Sequence, residues 1–369
     1  MKIFIDAHVF DNEYQGTRTY IKEIYNILVK RNDIEFYFAA FDIENLRANF
    51  PLESNVYFIK YKSKSKFYRL GIEIPILLKK YKIDYAHFQY VSPLIKNCKT
   101  IITIHDILFL DFPKEFSLFY KLSKKILFYI SSVRADILTT VSEYSKQRIE
   151  HHFKISSKNI FVVPNGVNEL YFKEYDKFIS QKYIYEKYGI KNYILYVSRI
   201  EPRKNHASLL KVLPDICEID KSISIVFVGH KSINSKDFED TLDSLPDNLK
   251  GCTKLLNHIP NNDLIILYQA ARLFFYPSKA EGFGIPPLEA GAIKIPTYCS
   301  NTTAMGDFRF FKNTFFNPND QKEITDILIK ALNSTPDKDK LNDISLEIKE
   351  NYSWDSAANS LISLIPLKG

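Results

Sequence analysis

Apolar residues along this chain fall in short runs, and longer stretches with apolar positions at helical spacing separate them almost from end to end. Runs of this kind, too short for helices and rich in β-branched and aromatic residues, predict strands near Ile3–Ile5, Phe36–Ala40, Val56–Phe58, Tyr85–Phe88, Thr100–Ile104, Ile137–Val141 and Ile160–Val163. Crossover helices fill the gaps, which is the pattern of a doubly wound parallel sheet. After Pro164-Asn165-Gly166-Val167 the chain turns and enters a polar segment rich in Lys and Tyr that lasts to Gly189. A second series follows, with strands near Tyr193–Val197, Ser222–Val228, Thr253–Leu256, Leu273–Tyr276, Ile295–Tyr298 and Thr314–Phe316. From Tyr352 to Ile365 an amphipathic pattern opened by Ser353 carries the lone tryptophan, Trp354, an aromatic suited to docking a tail. The division this predicts is an N-terminal Rossmann-like domain over 1–170, a second over 171–351, and a C-terminal helix in 352–369 that packs back on the first.

With 369 residues, the chain exceeds the size at which one hydrophobic core stops growing, in keeping with two domains. Its 46% hydrophobic and 25% charged residues are globular proportions. A carboxylate at Asp6 interrupts the first apolar run too early for a signal-peptide core or a membrane span, so that run reads as a first strand. Cys98, Cys217, Cys252 and Cys299 form no C-x-x-C pair, which suits reduced thiols in the cytoplasm.

The net charge of +7 lies in one half: residues 1–170 hold 25 Lys and Arg against 18 Asp and Glu, and residues 171–369 hold 25 against 25. Between Lys60 and Lys82 the only carboxylate is Glu73. A face of this kind attracts anionic partners. No recognition helix or aromatic RNA motif accompanies it, so nucleic acid ranks last among them.

Two loops carry residues suited to a phosphorylated ligand. Glu281-Gly282-Phe283-Gly284-Ile285-Pro286-Pro287-Leu288-Glu289 follows one predicted strand and opens a helix. Its glycines let backbone approach an anion at the helix start, and its carboxylates can accept hydrogen bonds from vicinal hydroxyls. Tyr196-Val197-Ser198-Arg199-Ile200-Glu201-Pro202-Arg203-Lys204-Asn205 follows another strand and supplies a guanidinium fork and an ammonium. The competing reading pairs Arg199 and Lys204 with Glu201 and Glu281 as solvated ion pairs and leaves Glu289 as a first-turn carboxylate. A D-x-D metal motif occurs only at Asp337–Asp339, in a charged turn, so no metal site is expected.

Taken together, Arg199…Asn205 and Glu281…Glu289 resemble the retaining family four glycosyltransferases of GT-B fold. The likeness extends over nearly the whole chain through Gly16, His105-Asp106, Pro164–Val167 and Pro277-Ser278. It implies two Rossmann-like domains facing across a cleft. It also implies that Arg199 and Lys204 bind a donor diphosphate, Glu289 the ribose, and Glu281 the transferred sugar. Phe283, Gly284 and Ile285 would offer backbone amides next to Gly282, with Ile259 near the nucleobase and Gly16 near the phosphates or acceptor. His105 would face the sugar, although a histidine at a strand end also serves as a simple carbonyl cap. Two departures stand out. The loop Asp11–Arg18 keeps a single glycine, Gly16, and Thr302–Asp307 replaces a small-residue loop ending in Pro-Glu.

The activity implied is hexosyl transfer, with retention, from GDP-mannose or a UDP-sugar to a saccharide or lipid-linked saccharide acceptor in surface polysaccharide synthesis. No metal or other cofactor is required, since the nucleotide sugar is the substrate. A non-hydrolysing sugar-nucleotide epimerase shares the fold but needs further acid and base groups; a non-catalytic nucleotide-sugar binder would release no nucleoside diphosphate. The Lys- and aromatic-rich stretch Ser117–Tyr129 reads either as an interfacial helix at the inner face of an anionic membrane or as an ordinary crossover helix with snorkelling lysines.

Overall fold

A computed structural model of the chain describes residues 1–11, 16–113 and 117–366. Every predicted run forms a strand: β1 Lys2–Asp6, β2 Glu35–Ala40, β3 Val56–Lys60, β4 Tyr85–Gln89, β5 Lys99–Ile104, β6 Ile137–Thr140, β7 Ile160–Val162, β8 Tyr193–Val197, β9 Ser224–Val228, β10 Thr253–Leu256, β11 Leu273–Tyr276, β12 Thr297–Ser300 and β13 Phe315–Phe316. The first seven make a parallel sheet ordered β3-β2-β1-β4-β5-β6-β7, and the others a parallel sheet ordered β10-β9-β8-β11-β12-β13. Parallel strands need crossovers that cover both faces, which is why Ile3, Phe4 and Ile5 are all buried with no alternation.

The largest displacement from the predicted bounds is at β12, which begins after Pro296 instead of at Ile295. Lys294 has a left-handed φ of 65°, and Pro296 has no N–H for the ladder, although its carbonyl accepts from Phe274 N at 2.9 Å.

Helices that position functional side chains or cover the sheets are α1 Gly16–Leu28, α2 Leu118–Arg134, α3 His206–Ile219, α4 Asn261–Ala270, α5 Ile285–Ala292, α6 Lys338–Asn351 and α7 Trp354–Ser363. On α1 the buried residues Tyr20, Ile21, Ile24, Tyr25 and Leu28 form one stripe at helical spacing, and that stripe fixes the face turned to the sheet.

The chain divides into two compact units, Met1–Gly166 with Trp354–Gly369, and Val167–Ser353. The first division falls at Gly166, just after the Asn-Gly turn and ahead of residue 170. In the first unit Trp354 is buried and meets Tyr20 of α1 edge-on at 6.4 Å. In the second, Val167 N donates to the Tyr352 carbonyl at 2.7 Å, so the places where the chain enters and leaves this unit lie side by side.

All four cysteines are free thiols. On the helix surface His152 Nε2 lies 2.8 Å from Asp111 Oδ1, which also accepts from Arg148.

Candidate functional site

In the second unit both motif loops leave the carboxyl edge of the sheet, one after β8 and the other after β11. These strands are neighbours, and the chain order proceeds outward from them in opposite directions. That is the switch point of a doubly wound sheet, where loops diverge and leave room for a ligand.

The β8 loop is braced by buried Glu201. Its Oε1 meets Arg199 Nη2 at 3.1 Å and accepts from Ser232 Oγ at 2.7 Å, while its Oε2 meets Arg203 Nε at 3.1 Å. Arg203 continues to the second motif, donating to the Ala280 carbonyl at 2.7 Å and to Glu281 Oε2 at 3.3 Å. Lys204 Nζ donates to Glu281 Oε1 at 2.5 Å, and the Tyr276 hydroxyl donates to the same oxygen at 2.9 Å.

The predicted pairs Arg199–Glu201 and Lys204–Glu281 therefore both form, but only Arg199 is solvated, at 46% side-chain exposure against 9% for Lys204. Burial works to raise the Glu281 carboxyl, yet Lys204 and Arg203 outweigh it and hold that group at about 2. Burial also lowers the proton affinity of Lys204 while Glu281 opposes it. With two cations on Glu281, the pair is charged.

Glu281 also has its backbone fixed from the segment that departs from the expected loop. The Thr303 hydroxyl accepts from Glu281 N at 2.9 Å, and Thr303 holds a φ of 54°, a costly conformation for a β-branched residue. Phe283 is buried against Phe308 and Tyr352. Gly284 has a φ of 108°, and a Cβ there would stand 3.0 Å from Met305 Cγ, so this position requires glycine. Gly284 leads into α5, whose first turn contains Pro286 and Pro287. The two prolines remove two N–H groups from the helix start, which leaves the amides of Phe283, Gly284 and Ile285 as the donors there.

Glu289, one turn into α5, is partly exposed and accepts from the Tyr268 hydroxyl of α4 at 2.9 Å. Burial pushes its carboxyl up to about 7, against the opposing hydrogen bonds from Tyr268 and Tyr171. It does not touch the Lys204–Glu281 pair directly. Phe274 joins the two, lying 5.4 Å from Tyr268 and 5.8 Å from Tyr276. Ile259 lies after β10 on the same sheet edge, next to His258, whose ring is parallel to that of His230 at 6.4 Å.

Two of the predicted residues belong to the first unit. Gly16 is exposed at the start of α1, where a Cβ would meet nothing within 4 Å, so the fold itself does not demand glycine. The adjoining residues 12–15 of the Asp11–Arg18 loop lie outside the described residues. His105 is buried just past β5, and its Nε2 donates to Gln89 Oε1. The Gln89 amide in turn faces His87 Nε2 at 3.2 Å, and His87 Nδ1 lies 2.8 Å from the Tyr25 hydroxyl. Burial pushes the His105 imidazole down to about 3, so the ring is neutral. The His105 carbonyl accepts from Ser145 Oγ at 3.1 Å.

Sequence reasoning missed Arg203, Tyr268, Tyr276 and Gly229. The first lies inside the motif between Glu201 and Lys204, and Tyr276 ends β11 five residues before Glu281; Tyr268 and Gly229, which follows β9 and packs on the Ser198 backbone, come from segments farther along the chain.

Among the described residues no group of three or more His, Cys, Asp or Glu is placed to hold a metal ion, and no helix is long and apolar enough to cross a membrane. The model of the group 1 glycosyl transferases matches residues 178–347, and that of glycosyltransferase family 4 matches residues 14–169. The chain is 25% identical to O-antigen chain mannosyltransferase B of Escherichia coli over 79% of this chain and 81% of that protein. It is 31% identical to O-antigen chain mannosyltransferase RfbU of Salmonella typhimurium, over 68% of this chain and 64% of the relative. Among solved structures it superposes on sucrose-phosphate synthase from Thermosynechococcus elongatus with a TM-score of 0.77 at 16% identity, covering 98% of this chain and 97% of the other.

Proposed function

Because the chain belongs to the group 1 glycosyl transferases, with the two parallel-sheet domains of the GT-B class, we propose that it transfers a hexosyl unit, mannose first, from a nucleoside diphosphate to a saccharide or lipid-linked saccharide acceptor with retention of configuration. GDP-mannose is the first donor in this reading and a UDP-sugar the second. The product belongs to a surface polysaccharide, in line with the O-antigen relatives. The carrying observation is the grouping of Arg199, Arg203 and Lys204 with Glu281 at the switch point between β8 and β11.

In the proposed reaction the bond from the anomeric carbon to the diphosphate oxygen breaks. The acceptor oxygen bonds to that carbon from the same face, and its proton passes to a diphosphate oxygen. Charge builds on the leaving diphosphate, and fixed cations aimed at it lower the barrier without reorganising. Arg199 and Lys204 supply those cations, and the amides of Phe283, Gly284 and Ile285 add neutral donors. Glu201 and Arg203 hold Arg199 and Glu281 in position. Glu281 accepts from hydroxyls of the transferred sugar, and Glu289 from the ribose. Ile259 backs the base, His105 faces the sugar, and Gly16 admits a ligand close to backbone.

The place of action is the cytoplasmic face of a membrane, which α2 supports with exposed Leu118, Phe119 and Leu122 among its lysines. The reaction as proposed runs without a metal ion.

A thermal-shift screen against GDP-mannose, UDP-glucose, UDP-GlcNAc and UDP-galactose tests the donor. The preferred donor at about 100 times its Kd adds about 2.7 kcal/mol of stability, and nucleoside diphosphate release with acceptor should persist in EDTA. If none of the four shifts the midpoint and none is turned over, the proposal fails.

Donor affinity should also follow Glu289. Its carboxyl ionises at about 7, and a diol donates better to a carboxylate than to a carboxylic acid. Donor binding therefore weakens as pH falls through that value. Glu289→Gln should bind more weakly above it and lose the pH dependence; a parallel pH profile in the variant would remove Glu289 from the ribose.

A further inference from the structure

The stretch 302–307, which replaces the expected small-residue loop, is built against the motif loop that carries Glu281. Hydroxyls at and just after the end of β12 reach that loop residue by residue. Ser300 Oγ donates to the Ser278 carbonyl at 2.5 Å, and Thr302 Oγ1 donates to the Lys279 carbonyl at 3.0 Å. The Ala280 carbonyl accepts from Arg203, and the Glu281 carbonyl from Ala304 N at 3.4 Å. Glu281 N donates to Thr303 Oγ1 at 2.9 Å. Each carbonyl of residues 278–281 thus has a partner outside its own loop.

Thr303 is the costly member of this set. Its φ of 54° lies in the left-handed region, where a β-branched side chain is crowded, and it opens a tight 3₁₀ turn, Thr303–Asp307. Glycine would take up the same backbone without that crowding. The turn alone therefore does not explain a threonine, but the hydroxyl does. Its hydrogen goes to the Thr302 carbonyl at 2.8 Å, which leaves the oxygen lone pairs to Glu281 N. Strain kept in place by its surroundings in this way is a mark of function.

The same turn reaches the far end of the motif loop. Met305 and Phe308 close over Gly284, where an added Cβ would stand 3.0 Å from Met305 Cγ and 3.4 Å from Phe308 Cε2. Glu281 is held twice, its carboxylate by Lys204, Arg203 and Tyr276, and its backbone by Thr303. Arg199 and Glu289 are braced separately, by Glu201 and by Tyr268. A backbone rotation of about 10–20° at Glu281 is enough to carry its side chain out of a productive geometry.

Resting on the transferase reading, in which Glu281 faces the transferred sugar, we propose that Thr303 is a positioning residue for sugar selection. Its hydroxyl sets the Glu281 carboxylate, so that the hexosyl part of the donor gains from the strained turn and the nucleotide part does not.

The test is calorimetry on the full chain with GDP-mannose and with GDP, and with UDP-glucose and UDP as the second pair. The ratio of the two dissociation constants in a pair isolates the sugar. Thr303→Val keeps the shape and the branching but leaves Glu281 N without its acceptor. Its ratio should shift against the nucleotide sugar by about three- to tenfold, with nucleoside diphosphate affinity unchanged. Thr303→Ser keeps the hydroxyl and should hold the wild-type ratio. Thr303→Gly relieves the backbone and should unfold at a higher temperature than the valine variant, yet lose the sugar preference as valine does. The inference is overturned if the valine or glycine variant keeps the wild-type ratio, if valine weakens both ligands of a pair in parallel, or if serine fails as valine does. Glu281→Gln separates this inference from the reading beneath it. A shifted ratio in Glu281→Gln beside an unshifted one in Thr303→Val sinks the inference alone. An unshifted ratio in Glu281→Gln removes Glu281 from the sugar, and binding of neither pair sinks the transferase reading itself.

Discussion

Replacing Lys204 with methionine is expected to lower kcat for sugar transfer by about two to three orders of magnitude, the equivalent of about 2–4 kcal/mol of barrier for one lost charge-assisted contact to a leaving group. The same substitution removes the closer of the two cations on buried Glu281. Leaving a buried charge without its partner costs about 3–5 kcal/mol; Arg203 and the Tyr276 hydroxyl remain on Glu281, which places the loss at the lower end. The sign with pH follows from the depressed carboxyl. In the wild type its contribution is fully present above the ordinary carboxylate value of 4.5 and fades as pH falls through about 2. In the variant the carboxyl rises, so the stability lost is greatest at neutral pH and shrinks on acidification. Urea midpoints at two pH values together with kcat separate the two effects. The double variant Lys204→Met/Glu281→Gln should recover stability without recovering rate, and a Lys204→Met enzyme within a few-fold of wild-type kcat would remove Lys204 from the chemistry.

Gly229→Ala should be nearly as damaging, although Gly229 contributes no side chain to the site. It follows β9 with a φ of 143°, and an added Cβ would lie 2.1 Å from the Ser198 carbonyl oxygen and 2.7 Å from its carbon. Both are backbone atoms, fixed by the hydrogen bond from Ser198 N to the Val228 carbonyl at 2.9 Å. The conformation alone costs about 1–3 kcal/mol for an alanine, and overpacking adds about as much again. The loop that yields is the one carrying Arg199 and Glu201, so kcat should drop by at least about tenfold as those groups shift by a fraction of an ångström. Thermal unfolding and steady-state kinetics check both parts. An alanine variant with wild-type midpoint and wild-type kcat would mean that the close approach is not maintained in solution.

Much of the architecture was legible because strands buried on both faces leave continuous apolar runs, and Ile3–Ile5 or Tyr193–Val197 have no other ready reading. The site loops were legible for a related reason. Gly284 before Pro286-Pro287 is a local device for turning a strand into a helix, and its residues are adjacent in the chain. What escaped depends on contacts between distant segments. Arg203 looks like one more surface cation until Glu201 and Glu281 are seen on either side of it. Tyr268 and Tyr276 look like core residues, and only the fold brings their hydroxyls to Glu289 and Glu281. Gly229 carries no signal of its own, since its neighbour Ser198 is a full crossover away.

The imidazole at 105 is held as one tautomer, with its Nε2–H committed to Gln89 and the remaining nitrogen carrying a lone pair. The free nitrogen of such a ring can accept a hydrogen bond from an alcohol and offers nothing to an anion. Mild acidification does not alter it, so under the proposed assignment discrimination among sugars at that spot stays constant while the ribose end, assigned there to Glu289, drifts with pH.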